Sequence, residues 1–386
     1  MLSIADKVTD GTHDTPKTSK DGKPYLTAIH VKDGFVDYDN CYFLSDEEHN
    51  KIYKRCNPEK GDLLMVNIGA GTATTALVDV DYEFSLKNVA LIKPNKTKVN
   101  SDFFAQVQRM NSSRLRHQLS SGGAQPFLSL KQIGKLKLNL PNLPEQQKIA
   151  NFLTAVDTKL QQLTTKKERL AQYKKGVMQQ LFSQQLRFKD DDGSAFPDWE
   201  EKRFKEIVVN FRLGGNYENT LEVTNYPLIK MGNLDRGKIK LDKLEYITSK
   251  DKIDSKDKIE YGDLFFNTRN TLDLVGKVAI WRNELPVAYY NSNLMYLKFE
   301  NNFFMNYRLN SYEGIKGLKR FATGTTSVAA IYTKDLLKLK LNIPSLKEQQ
   351  KIATYLSAID KKIEAVQTQI SNTQAFKKGL LQQMFV

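Results

Sequence analysis

A chain of 386 residues with 40% hydrophobic residues is too long for one ordinary core and long enough for two. Its 58 Lys and Arg against 44 Asp and Glu leave a net charge of +14, a balance that favours a polyanionic partner, nucleic acid first. Cys41 and Cys56 lack CxxC spacing, which excludes a disulfide scaffold and a zinc ribbon. With no signal peptide and no apolar run of about 18 residues, the expected compartment is the reducing cytoplasm.

In chain order, the first stretch has a mixed pattern. Leu63-Leu-Met-Val-Asn-Ile68 and Val89-Ala-Leu-Ile92 read as strands broken by Gly and Asp turns, and residues 101–119 read as a helix. Gly69-Ala-Gly71 is a lone GxG, better read as a tight turn than as a phosphate-binding loop. Lys135-Leu-Lys-Leu-Asn-Leu-Pro141 is extended, and from Pro144 a helix of close to forty residues begins, with proline where helix entry favours it. Ile149, Leu153, Val156, Leu160, Leu163, Leu170, Val177 and Leu181 form a heptad stripe interrupted by Lys167 and Lys174. The turn-rich Asp190-Asp-Asp-Gly-Ser-Ala-Phe-Pro-Asp198 reads as a linker.

The pattern then repeats. Lys277-Val-Ala-Ile-Trp281 and Leu294-Met-Tyr-Leu297 read as strands and residues 303–320 as a helix. Lys338-Leu-Lys-Leu-Asn-Ile-Pro344 repeats residues 135–141 at an offset of 203 (338 − 135). A second helix from Ser345 carries Ile352, Leu356, Ile359, Ile363, Val366, Ile370, Leu380 and Met384, with Thr373 and Lys377 as polar interruptions. The same offset pairs Asp157 with Asp360, Lys174-Lys-Gly176 with Lys377-Lys-Gly379, Gly11 with Gly214 and Gly34 with Gly237. Each helix has one narrow apolar seam and needs a partner, and the two equivalent helices can pair antiparallel. Gly176 and Gly379 interrupt good helix, for which a close backbone approach or a fraying helix end are the two accounts. The frames match while the loops between them differ, which suits two similar tasks on two different ligands.

These residues resemble a known family. Leu-x-Glu-Gln-Gln-Lys-Ile-Ala-x-x-Leu-x-x-x-Asp at 143–157 and 346–360, and Lys-Lys-Gly-x-x-Gln-Gln-x-Phe at 174–182 and 377–385, look like the conserved regions of type I restriction-modification specificity subunits, the HsdS family. The resemblance implies an α+β fold with a pseudo-two-fold internal repeat: two mixed α/β target-recognition domains joined by two long helices forming an antiparallel coiled coil. The corresponding boundaries are 1–143 for the first target-recognition domain, 144–186 for the first helix, 187–197 for a linker, 198–344 for the second domain and 345–386 for the second helix. It also implies a non-catalytic subunit. Each domain would read one half of a bipartite asymmetric site in double-stranded DNA. The chain would recruit two methylation subunits, which transfer a methyl group from S-adenosylmethionine to adenine N6, and two motor-nuclease subunits that use ATP and Mg2+. No cofactor or metal is expected in this chain. The second unit opens with Phe196-Pro-Asp-Trp-Glu-Glu-Lys-Arg203, whereas Met1 aligns with Phe204. Family members commonly carry such a leader on the first unit as well, which leaves the completeness of the first domain open.

Chemistry for an enzyme in its own right is missing from the sequence: His13, His30, His49 and His117 lack metal-ligand spacing, and there is no G-x-x-x-x-G-K-[ST] loop. A purely protein-binding coiled-coil scaffold is the other alternative. For DNA, lysine and arginine supply phosphate contacts and a few polar side chains reach base edges. Candidates in the first domain are Thr12, His13, Thr15, Lys17, Lys20, Asn67 and Thr72, then Arg114, Arg116 and Gln118 on the later helix. In the second they are Arg212, Asn216, Asn267, Arg269 and Asn270, then Lys316, Lys319, Arg320, Thr323, Thr325 and Thr326. Asn267, Arg269 and Asn270 lead, because they cluster at a strand end where the halves differ most.

Overall fold

The alternating apolar runs form the centre of a four-stranded antiparallel sheet in each half of the chain. The computed structural model describes residues 1–69, 71–120, 126–248 and 252–384. It divides into one unit made of Met1–Thr164 with Thr368–Val386 and another made of Thr165–Gln367. Each long helix therefore begins in one unit and ends in the other.

In the first unit the sheet order is Ala5–Asp10, Val89–Pro94, Leu63–Val66, Thr75–Leu77. Successive side chains on a strand point to opposite faces, and both faces are covered here. Leu63, Met65, Ala90 and Ile92 pack with Phe103, Phe104 and Val107 of the helix Ser101–Ser120. Leu64, Val66, Val89 and Leu91 face the other way, onto Leu26, Phe84 and Leu86. A second sheet runs Thr18–Ser19, Tyr42–Leu44, Lys23–Thr27, Ser85–Lys87, its last pair parallel.

The second unit repeats this plan with different residues. Its main sheet is Asn210–Leu213, Leu294–Lys298, Leu264–Asn267, Val278–Ile280, and its smaller one Asn219–Thr220, Glu245–Ile247, Pro227–Ile229, Tyr289–Tyr290, again with a parallel last pair. The repeated glycines have a steric cause. A Cβ on Gly11 would lie 2.2 Å from the Leu86 carbonyl oxygen, and one on Gly214 would lie 2.4 Å from that of Tyr290, so only glycine lets these loops cross the sheet edge so closely.

Two elements differ from expectation. The helix read across 303–320 is two helices, Asn302–Leu309 and Tyr312–Lys319. Ser311 starts the second by accepting a hydrogen bond from the Gly314 amide at 3.1 Å, the behaviour of a strong N-cap residue. The strand before the second long helix, Lys340–Ile343, forms by pairing with Glu200–Arg203. Its first copy follows the short helix Leu130–Lys135 without strand pairing among the described residues. The connecting segment is itself folded: Lys189 bridges Ala195 across a turn at Gly193. Glu348 then accepts from Arg187 Nη2 at 2.9 Å and from Trp199 Nε1 at 3.1 Å. Glu348 is fully buried by this clamp, whereas its repeat counterpart Glu145 is exposed.

The long helices span Leu143–Phe182 and Leu346–Met384. Burial follows the heptad stripe, with Leu153, Leu163, Val177 and Leu181 buried on one and Ile352, Leu356, Ile359, Val366 and Ile370 on the other. Within each unit the helices run antiparallel. In the first, Lys377 Nζ meets Asp157 at 2.6 Å and Phe152 packs edge-on to Phe376. In the second, Lys174 Nζ meets Asp360 at 2.5 Å, Lys167 Nζ donates to Gln367 at 2.7 Å, and the Tyr173 and Tyr355 hydroxyls lie 2.6 Å apart. Three polar interruptions of the stripe, Lys167, Lys174 and Lys377, are thus interhelical bonds. Among the described residues no helix is long and apolar enough to cross a membrane.

The close backbone approach considered for Gly176 and Gly379 is not seen among the described residues. None of them lies within 4 Å of a Cβ built on either glycine. Gly176→Ala and Gly379→Ala should therefore each stabilise the chain by about 0.5–1 kcal/mol, the helix-propensity difference alone. Chemical unfolding followed by circular dichroism checks this, and destabilisation by either change would reveal a contact at that face.

Candidate nucleic-acid interface

Beyond its last sheet bond, the central strand Leu264–Asn267 turns outward and makes a small second structure. Arg269–Asn270 pairs with Ala329–Ala330, which pairs with Thr323–Gly324. The Leu272 amide donates to the Thr326 carbonyl at 3.1 Å, and the Thr325 and Ser327 hydroxyls lie 3.2 Å apart at the exposed tip. The helix Tyr312–Lys319 leads into this ribbon, carrying Lys316 and Lys319, with Arg320 as its C-cap. Cations in a last helical turn are favoured by the negative end of the helix dipole. Lys316 Nζ sits 5.9 Å from the Tyr312 ring centre, and Lys319 is 3.9 Å from the exposed Asp273, a pair too solvated to hold it. Arg269, Arg320, Thr323, Thr325 and Thr326 are exposed and Asn270 is half-buried, with its Oδ1 accepting from the Thr271 amide at 2.8 Å. Residues more than fifty positions apart in sequence thus share one ribbon.

Asn267 is not part of that exposed surface. It is fully buried, its Oδ1 accepting from the Arg269 amide at 3.3 Å. Its backbone exchanges bonds with Lys277 and Gly276. Arg212 is also committed elsewhere. Its guanidinium binds the buried Asp257 carboxylate and the Lys256 carbonyl, and lies 5.4 Å from the Tyr290 ring centre. The Tyr217 hydroxyl donates to the same Asp257 at 2.5 Å, and burial together with that carboxylate pushes the Tyr217 phenol up to about 12. Asn216 is exposed on the neighbouring loop, outside the ribbon.

In the first unit Thr12 is buried and bridges Lys87, its amide bonded to the Leu86 carbonyl at 2.8 Å. His13 is exposed between Asp10, at 3.0 Å, and Asn88, at 2.9 Å. Thr15 Oγ1 accepts from Lys87, while Lys17 and Lys20 are exposed with no ion pair among the described residues. Asn67 is buried, as Asn267 is, at the end of the equivalent strand, and its carbonyl accepts from the Leu128 amide at 2.8 Å. Each of these asparagines leaves one buried side-chain atom without a hydrogen-bond partner among the described residues, Oδ1 of Asn67 and Nδ2 of Asn267. Thr72, also buried, ties the turn down by donating to the Gly69 carbonyl at 2.6 Å and the Pro126 carbonyl at 3.0 Å. The tight turn expected at Gly69-Ala-Gly71 is seen in the left-handed Gly69 and its bond to Thr72; Ala70 itself lies outside the described residues. Arg114 and Gln118 are exposed, and Arg116 Nη1 donates to Thr74 Oγ1 at 3.2 Å.

Thr12, Asn67, Thr72, Asn267 and Arg212 are therefore frame residues holding the loops, and the exposed polar and cationic residues remain as the surface. Sequence reading passed over the apolar members of that surface. Ile68 bridges Phe127 with both side chains exposed, and Leu272, Leu274 and Val328 are exposed beside the ribbon of the second unit. Their only sequence signal is apolar character within a polar, turn-rich stretch.

Residues 7–172 and 197–373 each match the family model described as "Type I restriction modification DNA specificity domain". The chain belongs to this family. It is 25% identical over 384 residues to the type I restriction enzyme MjaVIII specificity subunit of Methanocaldococcus jannaschii, covering 95% of this chain and 88% of the relative. A second protein of that organism, provisionally named the type I restriction enzyme MjaX specificity subunit, is 26% identical over 214 residues. That match covers 54% of this chain and spans half the length of the relative. Two solved structures share the fold. The S subunit of a type I restriction-modification system from M. genitalium aligns with TM-score 0.63 at 16% identity, over 100% of this chain and 94% of that one. A chain from a structure on assembly and conformational transition of the type I R-M system aligns with TM-score 0.55 at 16% identity, over 99% and 94%. Family membership accounts for the doubled frame, since the family's domain occurs here twice, once in each half of the chain.

The division into frame and surface has a measurable consequence. Arg212→Ala leaves Asp257 buried without its cation and should destabilise the second unit by about 3 kcal/mol. Arg269→Ala and Arg320→Ala, which break no buried bond, should stay within about 0.5 kcal/mol of the parent. Denaturant midpoints of the three variants test the assignment, and a large loss for Arg269→Ala would move that residue into the frame.

Proposed function

We propose that this chain is the DNA-specificity subunit of a type I restriction-modification complex, each domain reading one half of a bipartite, asymmetric site and the helices setting the gap between the halves. One observation carries the reading: the same buried frame is built twice, and the two copies differ in what they expose at the end of the central strand. In the second unit the exposed set is a β-ribbon bearing Arg269, Asn270 and Thr323. The major groove of B-DNA admits a two-stranded β-ribbon, and arginine pairs bidentately with guanine while asparagine pairs with adenine. Lys316, Lys319 and Arg320, and in the first unit Lys17, Lys20 and Arg114, supply phosphate contacts that position the readers without specifying sequence. Exposed apolar side chains such as Val328 and Ile68 suit contact with thymine methyl groups.

On this reading two methylation subunits and two motor-nuclease subunits join the chain, and S-adenosylmethionine, ATP and Mg2+ belong to them. The complex acts in the cytoplasm, where the DNA is. The repeated helix faces serve recruitment, because two equivalent partners need two equivalent surfaces.

Mapping N6-methyladenine across a host genome with and without the gene should reveal one two-part motif with a fixed gap. Exchanging residues 1–134 for those of another family member should change one half of that motif only; a change in both halves would refute separate readers. Removing one heptad from both long helices shortens them by about 10 Å, about three base pairs of DNA at 3.4 Å each. The gap should shrink by that amount, and an unchanged gap in a folded, active variant would rule out the helices as its ruler.

A further inference from the structure

Two carboxylates stand out in having each oxygen bonded to a different part of the molecule. Asp360, on the second long helix, accepts on one oxygen from Lys174 Nζ of the opposing helix at 2.5 Å. Its other oxygen accepts from the Tyr307 hydroxyl at 2.6 Å, with Arg282 Nη2 3.8 Å away. Tyr307 and Arg282 belong to the globular part of the same unit. Asp157, 203 positions earlier, repeats the arrangement. One oxygen accepts from Lys377 Nζ of the opposing helix at 2.6 Å, and the other from Gln106 Nε2 of the globular part at 2.9 Å. The lysine and aspartate are repeated exact to the residue, and Gln106 and Tyr307 also stand at equivalent positions (307 − 106 = 201), as the capping Asn100 and Asn301 before them do, with a different residue type in each unit. The link to the globular part thus comes from one repeat position in both units, an amide in the first and a phenol in the second, around a constant helix–helix pair.

We propose that Asp157 and Asp360 are positioning residues that set each reader on the helix pair: the carboxylate that fixes the helix register also seats the domain, so the reader is held at one rotational and axial setting. A carboxylate hydrogen-bonded on both oxygens has little freedom to turn. Asp360 and Lys174 are only partly exposed, as are Asp157 and Lys377, which limits screening by salt. Tyr307 is buried apart from its contacts, and its phenol is pushed well up by burial and then by Asp360, so it stays a donor. Lys174 Nζ also lies 5.1 Å from the Tyr307 ring centre, which adds a cation–π contact between helix and domain. A domain free to rock on its helix would accept half-sites at more than one spacing; a seated one accepts one spacing.

This inference rests on the bipartite-reader function proposed above. The test uses the full chain assembled with its methylation subunits, as wild type, Tyr307→Phe and Asp360→Asn, and sequences the methylated sites. Wild type should give one gap length. Tyr307→Phe, which removes a single hydroxyl, should raise methylation at sites whose gap is one base pair longer or shorter by at least tenfold relative to the correct gap, with the bases of both half-sites unchanged. Asp360→Asn should do the same more strongly. If Asp360→Asn does not assemble, Tyr307→Phe alone decides. An unchanged gap distribution in Tyr307→Phe, or a uniform fall in methylation at all sites, overturns the positioning role and leaves the reader function standing. A wild type that methylates no two-part motif takes both down.

Discussion

Everything in this protein hangs on the need of a long helix with one apolar stripe to find another. Leu143–Phe182 and Leu346–Met384 leave much of their surface exposed and bury the stripe, together with the first turns against the globular part, where Gln146, Ala150, Glu348 and Ala353 are buried. In each unit the stripe is covered by the opposing helix and by the base of the globular part, where Ile352, Leu356 and Ile359 join the core that also holds Phe204 and Phe304. The antiparallel pairing brings Lys174 to Asp360 and Lys377 to Asp157. A parallel pairing of the same helices would set lysine beside lysine and aspartate beside aspartate, which is repulsive. The charges thus choose the orientation that the apolar seam alone leaves undecided.

The globular parts solve a second problem, which is to keep a frame constant while the surface changes. The buried Asn267 ends one central strand and the buried Asn67 directly follows the other, and beyond them the two units diverge. In the first unit the turn is held by Thr72 bonds to Gly69 and Pro126, and in the second by the pairing of Arg269–Asn270 with Ala329–Ala330. Burial keeps the strand end in place, so the exposed residues after it are free to vary without unsettling the sheet. Arg212 shows the other side of this division. It is a cation on a candidate surface, but the buried Asp257 claims it for the frame.

Much of the architecture was legible from periodicity. The heptad stripes, the strand cores at Leu63–Val66 and Leu294–Lys298, and the doubled plan all follow from patterns that depend only on local geometry and on which face is apolar. The candidate surface was legible only in part. Exposed loop residues such as Lys17, Lys20, Arg269 and Thr325 were read from residue type. The same rule selected Thr12, Asn67, Thr72 and Asn267, which are buried. Polar residues at strand ends serve equally well as backbone braces and as ligand contacts, and only the surrounding fold separates the two uses. The two glycines of the long helices likewise allowed either a close backbone approach or a fraying helix end, and among the described residues nothing packs beside them.

The amino-acid order alone determined the repeat, the two apolar seams, the strand positions and the family, because each is written in spacing along the chain. Tertiary structure decided which polar groups are buried and with whom, because those partners lie far apart in sequence: Lys174 with Asp360, Arg187 with Glu348, and Arg269 beside Ala330. It also decided that Asp157 and Asp360 each serve two masters. A carboxylate's second oxygen finds its donor only once the helix and the domain have packed, and no local pattern announces that meeting.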